Sequence, residues 1–409
     1  MRLSYIIVTH NRREPLLRTL GILHSSTPLP RDAWDCHVVD NASTDGTIEA
    51  LRERFPSVHV IARARNEGVS ARNHGIRASR SRYVVLLDDD SYPLADAVPV
   101  SMAFMDEHPS VGAVFGKVVL PGGGEEACAL PDVMLSGAVC VRRRVFDEVE
   151  PFRPEFFRKA GEYDVSFRMW ATGWRVLRFD DVVYRHDKHT TGRSAAHAHR
   201  MDLRNNLILA HRYLPGELRR CYAEDWTQRY AAIARHDGCA GAAQRARWEA
   251  KVWATREWLN GYPQQLDAET LEQVLHLSEQ RAAVSKWARE HGIRRVAVGD
   301  FGKNLFATWS ACVEAGLEVT AVADNGPAFT GLRYRGLPIV PDATAADAEP
   351  DAVVLSNINP AQVARRAEQL RVAFGAPVLT LWQPTTSAQA RAAAADEAQR
   401  HAPAARLAS

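Results

Sequence analysis

Three consecutive aspartates, Asp88, Asp89 and Asp90, close an apolar run of Tyr83-Val84-Val85-Leu86-Leu87. A run so apolar and β-branched reads as a buried strand of a parallel sheet. Three carboxylates at its C-terminal tip repel one another unless positive charge sits among them. Ligands of open α/β sheets bind beyond the carboxyl ends of the strands. Carboxylate oxygens suit Mg²⁺ or Mn²⁺, ions that commonly also hold substrate phosphates. A metal–diphosphate site is the chemistry this cluster favours. A solvated acidic loop or helix cap is the plain alternative.

The surrounding elements must bring other groups to the same edge. Residues 3–9 read as a first strand, and Leu16, Leu17, Leu20 and Leu23 follow at helical spacing. His37–Asp40 is a second strand. Ser43-Thr44-Asp45 offers caps for a helix marked by Ile48, Leu51 and Phe55. Val58–Ile61 is a third strand, and a helix over 69–79 leads into the aspartate strand. This alternation predicts an α/β fold with a doubly wound, mostly parallel sheet. Thr9-His10-Asn11, Asp40 and Asp88–Asp90 then all fall at strand C-termini. Further strands are expected at 111–115, 117–120 and 138–141, with a turn at Gly122-Gly123-Gly124. A helix from Asp164 to Thr172 ends at Gly173 and has Glu162 just before it. Short strands at 176–179 and 182–184 follow.

The motifs of residues 1–190 resemble the family 2 glycosyltransferases, whose fold is the A-type nucleotide-sugar-binding (GT-A) fold. The matching pieces are Ile6–Arg12, Val38–Thr47, Asn66–Ile76 and Leu86–Asp90, then Leu135–Ala138, Glu162–Arg168, Gly173–Arg175 and Tyr184–His186. They stand in the family's order and cover a little under half the chain. The likeness is greatest to soluble bacterial members that add sugars such as rhamnose in envelope glycan assembly. The resemblance implies an inverting transfer from a UDP- or dTDP-linked sugar to an acceptor hydroxyl. The acceptor would be a glycan, a lipid-linked molecule or a small molecule. It places Thr9, Asn11, Arg12, Asp40, Asn66, Arg72, Asp88, Asp89 and Arg193 around the nucleotide sugar. It assigns Mn²⁺ or Mg²⁺ to Asp88, Asp90 and His186, with His189 as the alternative histidine. Glu162 takes the place of the catalytic base, and Asp164 is the second candidate. A carboxylate at Asp40 would accept the imide N–H of uracil or thymine; a helix cap before Ser43 is its other reading. Gln244-Arg245-Ala246-Arg247-Trp248 fits the QxxRW motif of processive synthases. It lies far downstream of Glu162 and lacks their transmembrane helices, so it is read as coincidence.

Four regions are expected: residues 1–194 as the GT-A domain, 195–291 as a helical connector, 292–384 as a smaller Rossmann-like α/β domain, and 385–409 as a flexible Ala-rich tail. In the third, Gly299-Asp300-Phe301-Gly302 follows a strand, opens a helix and precedes Asp324. That is the frame of a dinucleotide-binding turn, with Ala297 in place of its first glycine. A packing or dimerisation role is the preferred reading, and NAD(P) is not expected. The competing functional reading is an NAD(P)-dependent sugar-modifying oxidoreductase working through this unit.

Bulk properties exclude several classes. The formal net charge is +2 over 409 residues, which gives no electrostatic case for nucleic acid. The six cysteines form no CxxC pair and are expected to be free thiols. No apolar stretch approaches the roughly 20 residues that span a bilayer. The chain opens on a strand pattern rather than a signal peptide. A cytoplasmic protein is expected, peripheral attachment to the inner membrane face and homo-oligomerisation being compatible with the sequence.

Overall fold

The computed structural model describes residues 2–188, 194–260 and 265–401. The first four strands are β1 (Leu3–Thr9), β2 (Trp34–Asp40), β3 (His59–Ala62) and β4 (Tyr83–Asp88), joined by α1 (Arg13–Ser26), α2 (Thr47–Arg54) and α3 (Arg72–Ala78). They pair in parallel, in the order β3-β2-β1-β4. Alternate residues of each strand face opposite sides. Ile6, Val84 and Leu86 enter one hydrophobic core, while Tyr5, Ile7, Val85 and Leu87 enter another with Leu16, Leu17, Leu20 and Leu23 of α1.

Past the aspartates the sheet becomes mixed. It continues through β5 (Ser91–Pro93), α4 (Ala97–Glu107), β6 (Val111–Val119), β7 (Glu125–Glu126), β8 (Ala138–Arg142), α5 (Val145–Glu148), α6 (Gly161–Ala171) and β9 (Arg175–His186). The full order is β3-β2-β1-β4-β8-β6-β9-β5, with β7 on β6. The two strands expected at 111–120 are one strand, shifted in register between Gly116 and Lys117. The two expected at 176–184 are likewise one strand, β9. A Cβ on Gly116 would lie 1.7 Å from Val182 O, so only glycine permits that approach. The GGG turn leads into β7, too short for a hydrophobic pattern to reveal.

Helices α7 (Ala195–Tyr213), α8 (Gly216–His236), α9 (Ala240–Leu259), α10 (Ala268–Leu275) and α11 (Leu277–His291) follow. A second sheet contains β10 (Arg295–Gly299), β11 (Glu318–Ala323), β12 (Arg333–Tyr334), β13 (Leu337–Val340), β14 (Ala352–Leu355) and β15 (Val378–Thr380), in the order β12-β13-β11-β10-β14-β15. It carries α12 (Leu305–Glu314), α13 (Asp342–Ala346) and α14 (Val363–Phe374). Ala297 pairs with Val353 inside β10, so it occupies the strand and not the turn. The Ala-rich tail, expected to be flexible, contains α15 (Ser387–His401). Its first turn is anchored at 2.8 Å by Ser387 N–H on Asp181. All six cysteines are free thiols. Among the described residues no helix is long and apolar enough to cross a membrane.

Helix α8 joins the two sheets. Trp226 Nε1 donates to Lys303 O at 3.2 Å, Tyr334 Oη donates to Asp225 at 2.8 Å, and Gln228 reaches Arg333 O at 2.8 Å. At the α10–α11 joint, His276 meets Asp132 at 2.6 Å and Glu279 at 2.9 Å. Burial opposes the charged ring, yet these carboxylates push His276 up to about 9. The unfolded value is about 6.5, so this stabilisation is complete below that pH and fades as pH rises through about 9. Denaturant unfolding should therefore show that His276→Gln costs more stability at pH 6 than at pH 10. An equal loss at both would contradict the charged-pair account.

Candidate functional site

The tips of β1, β2 and β4 open into a cleft of ≈ 690 Å³ lined by Thr9, Asn11, Arg12, Asn66, Arg72, Asp88, Asp89, Asp90, Glu162 and His186. Its electrostatics begin with the three aspartates, whose side chains diverge. Asp88 pairs with the buried Arg72, which also donates to Leu87 O at 3.3 Å. Asp89 turns inward, accepting from Thr9 Oγ1 at 2.9 Å and Arg12 Nε at 2.7 Å. Burial pushes it up to about 7, against Arg12 and with the neighbouring aspartates. Asp90 pairs with Arg12 and lies 3.1 Å from His186 Nε2.

His186 reaches Asp90 because β5 pairs with β9, placing Ser91 opposite His186. Its Nδ1 is held 2.8 Å from Glu126 on β7, and Lys188 reaches the same carboxylate at 3.1 Å. Burial works against charge on the ring, but hydrogen bonds to Asp90 and Glu126 push it up to about 10. Ligand atoms of Asp88, Asp90 and His186 all lie within 4.8 Å of one another, so these three could hold one divalent cation. Glu126 then fixes the far nitrogen, as outer-shell carboxylates do for metal-bound histidines. A second group, Asp35, His37 and His59, lies on β2 and β3 outside this cleft.

At the other end, Asn11 adopts φ 53°, and its Oδ1 accepts from Thr44 N–H at 2.7 Å. Asn66 Oδ1 accepts from Asn41 at 2.9 Å and Gly68 N–H at 2.9 Å. Asp40 is buried behind Asn41 and is not part of the lining. Its Oδ1 caps Ser43 N–H at 2.9 Å, and its Oδ2 has no hydrogen-bond partner among the described residues.

Glu162 and Asp164 separate clearly. Helix α6 begins at Gly161, so Glu162 sits within its first turn and not before it. It faces the cleft and makes no ion pair among the described residues. Burial raises it above the usual carboxylate range; its backbone amide, Lys159, Lys303 and Arg72 counteract in part. Asp164 is 0% exposed, and accepts from Arg168 at 2.6 Å, Tyr213 at 2.6 Å and Arg212 at 3.3 Å. It fastens α6 to α7 and is away from the cleft. The approach to Glu162 is strained: Lys159 and Ala160 adopt φ of 68° and 60°. Asn205 of α7 supports it by donating to Arg158 O at 2.7 Å and Lys159 O at 2.8 Å. Such costly backbone persists only where the surroundings over-determine it, often at functional sites.

Sequence reasoning missed Glu126, Lys159, Lys188 and Asn205. Only the GGG turn before Glu125-Glu126 signalled a hairpin there. Arg193 and His189 lie outside the described residues. No residue of Gln244–Trp248 lines the cleft.

The sequence model described as Glycosyl transferase family 2 matches residues 4–162, from β1 to Glu162. The chain carries a family 2 glycosyltransferase domain. It is 26% identical over 200 residues to glycosyltransferase AglE of Haloferax volcanii, covering 44% of this chain and 65% of that one. It is 32% identical over 108 residues to the putative teichuronic acid biosynthesis glycosyltransferase TuaG of Bacillus subtilis, covering 25% and 42%. The chain thus spans less than two thirds of either relative. It is also similar to S. aureus TarS 1-349 in complex with UDP-GlcNAc, at 15% identity and a TM-score of 0.48, covering 83% of this chain and 98% of that one. The matched stretch holds the aspartates, Glu126 and Glu162, and His186 lies beyond it.

Removing one member of a buried ionic network leaves its partners uncompensated, at about 3–5 kcal/mol. Asp164→Ala should lose about that much in denaturant unfolding. Glu162→Gln should lose under about 1 kcal/mol or gain, because it removes a half-buried carboxylate that has no ion pair.

Proposed function

We propose that the protein moves a sugar from a nucleotide-diphosphate sugar to an acceptor hydroxyl with inversion at the anomeric carbon. One observation carries the reading. Glu162, a carboxylate without an ion pair among the described residues, shares a cleft with a cation-suited group of two aspartates and a histidine. The glycosyltransferase descriptions of the family and of the relatives named above support the reaction class. They give no support to an oxidoreductase.

In this reading, Asp88, Asp90 and His186 hold Mn²⁺ or Mg²⁺. Such an ion neutralises the charge that develops on the leaving diphosphate. Arg12 and Arg72 balance the remaining aspartate charge. Thr9, Asn11 and Asn66 flank the nucleotide. The unsatisfied Oδ2 of Asp40 is a costly buried acceptor. Asp40 stands outside the cleft lining, so the preference for a UDP- or dTDP-linked donor rests on the family resemblance and not on this carboxylate. Glu162 takes the proton of the acceptor hydroxyl. The acceptor oxygen bonds to the anomeric carbon as the bond from that carbon to the diphosphate breaks, and the diphosphate leaves with the electron pair. A single displacement inverts the carbon. Hydroxyls of a glycan, a lipid-linked molecule or a small molecule satisfy the same chemistry.

General-base catalysis contributes about 10²–10⁴-fold. Glu162→Gln should lower transfer by that factor while nucleotide affinity, read by calorimetry, changes little. The product anomer, read by NMR, should be opposite to that of the donor. The base must be ionised, so kcat/KM should fall as pH drops through a value above the usual carboxylate range. Full transfer by Glu162→Gln, or a retained anomer, would overturn the mechanism.

A further inference from the structure

A second set of metal-ligand side chains stands on the outer strands of the first sheet. Strand β3 closes one edge of that sheet, beside β2. Asp35 and His37 are two residues apart on β2, so their side chains leave the same face. His59 is the first residue of β3 and is in register with His37. The two imidazoles accordingly stack, with ring centroids 4.8 Å apart. Ligand atoms of Asp35, His37 and His59 all lie within 4.8 Å of one another. None of the three lines the aspartate cleft.

Hydrogen bonding leaves this cluster unfinished. His37 is 5% exposed, yet neither its Nδ1 nor its Nε2 has a hydrogen-bond partner among the described residues. Asp35 Oδ1 is buried and equally without one. Buried polar atoms are nearly always satisfied in folded proteins, and each one left over is costly. His37 Nε2 stands 3.5 Å from Asp35 Oδ2. Two ligands of one tetrahedral zinc ion stand about as far apart, roughly 3.3–3.5 Å for bonds of about 2.0–2.1 Å. A neutral histidine packed as a small aromatic ring is the plain alternative, and it leaves both nitrogens unexplained.

The donor set indicates which ion would fit. Imidazole suits zinc and its neighbours in the first transition row, whereas sets made only of oxygen suit magnesium, calcium and manganese. Two histidines and one carboxylate also leave a fourth position of a tetrahedral ion open to water. The way in is from the sheet edge, where His59 is exposed and the Asp35 side chain is 18% exposed.

We propose that Asp35, His37 and His59 form a second metal site, which takes Zn²⁺ or a divalent ion of like chemistry and so ties the edge strand β3 to β2. The inference depends neither on sugar transfer nor on the ion assigned to Asp88, Asp90 and His186.

Calorimetric titration of Zn²⁺ alone into the full chain carrying Asp90→Asn tests it, since that change breaks the cleft group and leaves the second one whole. The proposal expects one Zn²⁺ to bind, with affinity reduced at least tenfold when either His59→Gln or Asp35→Asn is added. An ion that binds only the native state also stabilises it. Zn²⁺ should therefore raise the thermal midpoint of the Asp90→Asn chain and leave that of the chain with His59→Gln unmoved. His59 is exposed, so the metal-free midpoints of those two chains should agree, which shows that the variant is folded. Should Asp90→Asn fail to fold, the loss of one Zn²⁺ equivalent on His59→Gln in the otherwise unmodified chain supports the site. No Zn²⁺ bound by the Asp90→Asn chain, or binding that either added substitution leaves undiminished, overturns it.

Discussion

Three carboxylates on consecutive residues can share a strand tip only if their charge is divided among separate partners. That division organises the molecule. Arg72 from the helix before β4 takes Asp88, Arg12 from the tip of β1 takes Asp89 and Asp90, and His186 from the end of β9 meets Asp90 on its other side. Each counter-charge comes from a different element. The parallel core, the β5–β9 pairing and the β7 hairpin must therefore all be in place before the site exists. Gly137 belongs to the same constraint, since a Cβ there would stand 2.5 Å from Asp88 Oδ2.

The second requirement is a carboxylate left out of this division. Glu162 makes no ion pair among the described residues, while its neighbour Asp164 absorbs the surrounding arginines. Arg168 and Arg212 converge on Asp164 and lock α6 to α7, so the strained turn at Lys159 and Ala160 is held from behind. Two acids two residues apart thus stand differently, one anchored in an ionic network and one facing the cleft. Burial acts on both, and only partner geometry distinguishes them. Helix α8 extends the same support to the second sheet, whose Lys303 stands over the Tyr163 ring next to Glu162.

Much of this was legible in the sequence. The apolar runs ending in Thr9 and Asp88 are almost wholly buried, so their pattern names them as parallel strands with tips at one edge. The family motifs singled out Asp90, Glu162 and His186, and all three line the cleft. What escaped notice rests on short or non-local features. β5 has three residues and β7 two, too few for periodicity, yet they bring His186 and Glu126 together. The direction of Asp89 and the burial of Asp40 depend on side-chain partners that no local pattern encodes.

The central claim is that the aspartate cleft holds a nucleotide diphosphate through a divalent cation. The most direct measurement is calorimetric titration of UDP and GDP into the full chain, with and without Mn²⁺, alongside Asp90→Ala. The account predicts Mn²⁺-dependent binding of UDP, weaker binding of GDP, and loss of the Mn²⁺ dependence in Asp90→Ala. UDP binding of equal strength without Mn²⁺, or binding that survives Asp90→Ala with its Mn²⁺ dependence intact, would contradict it.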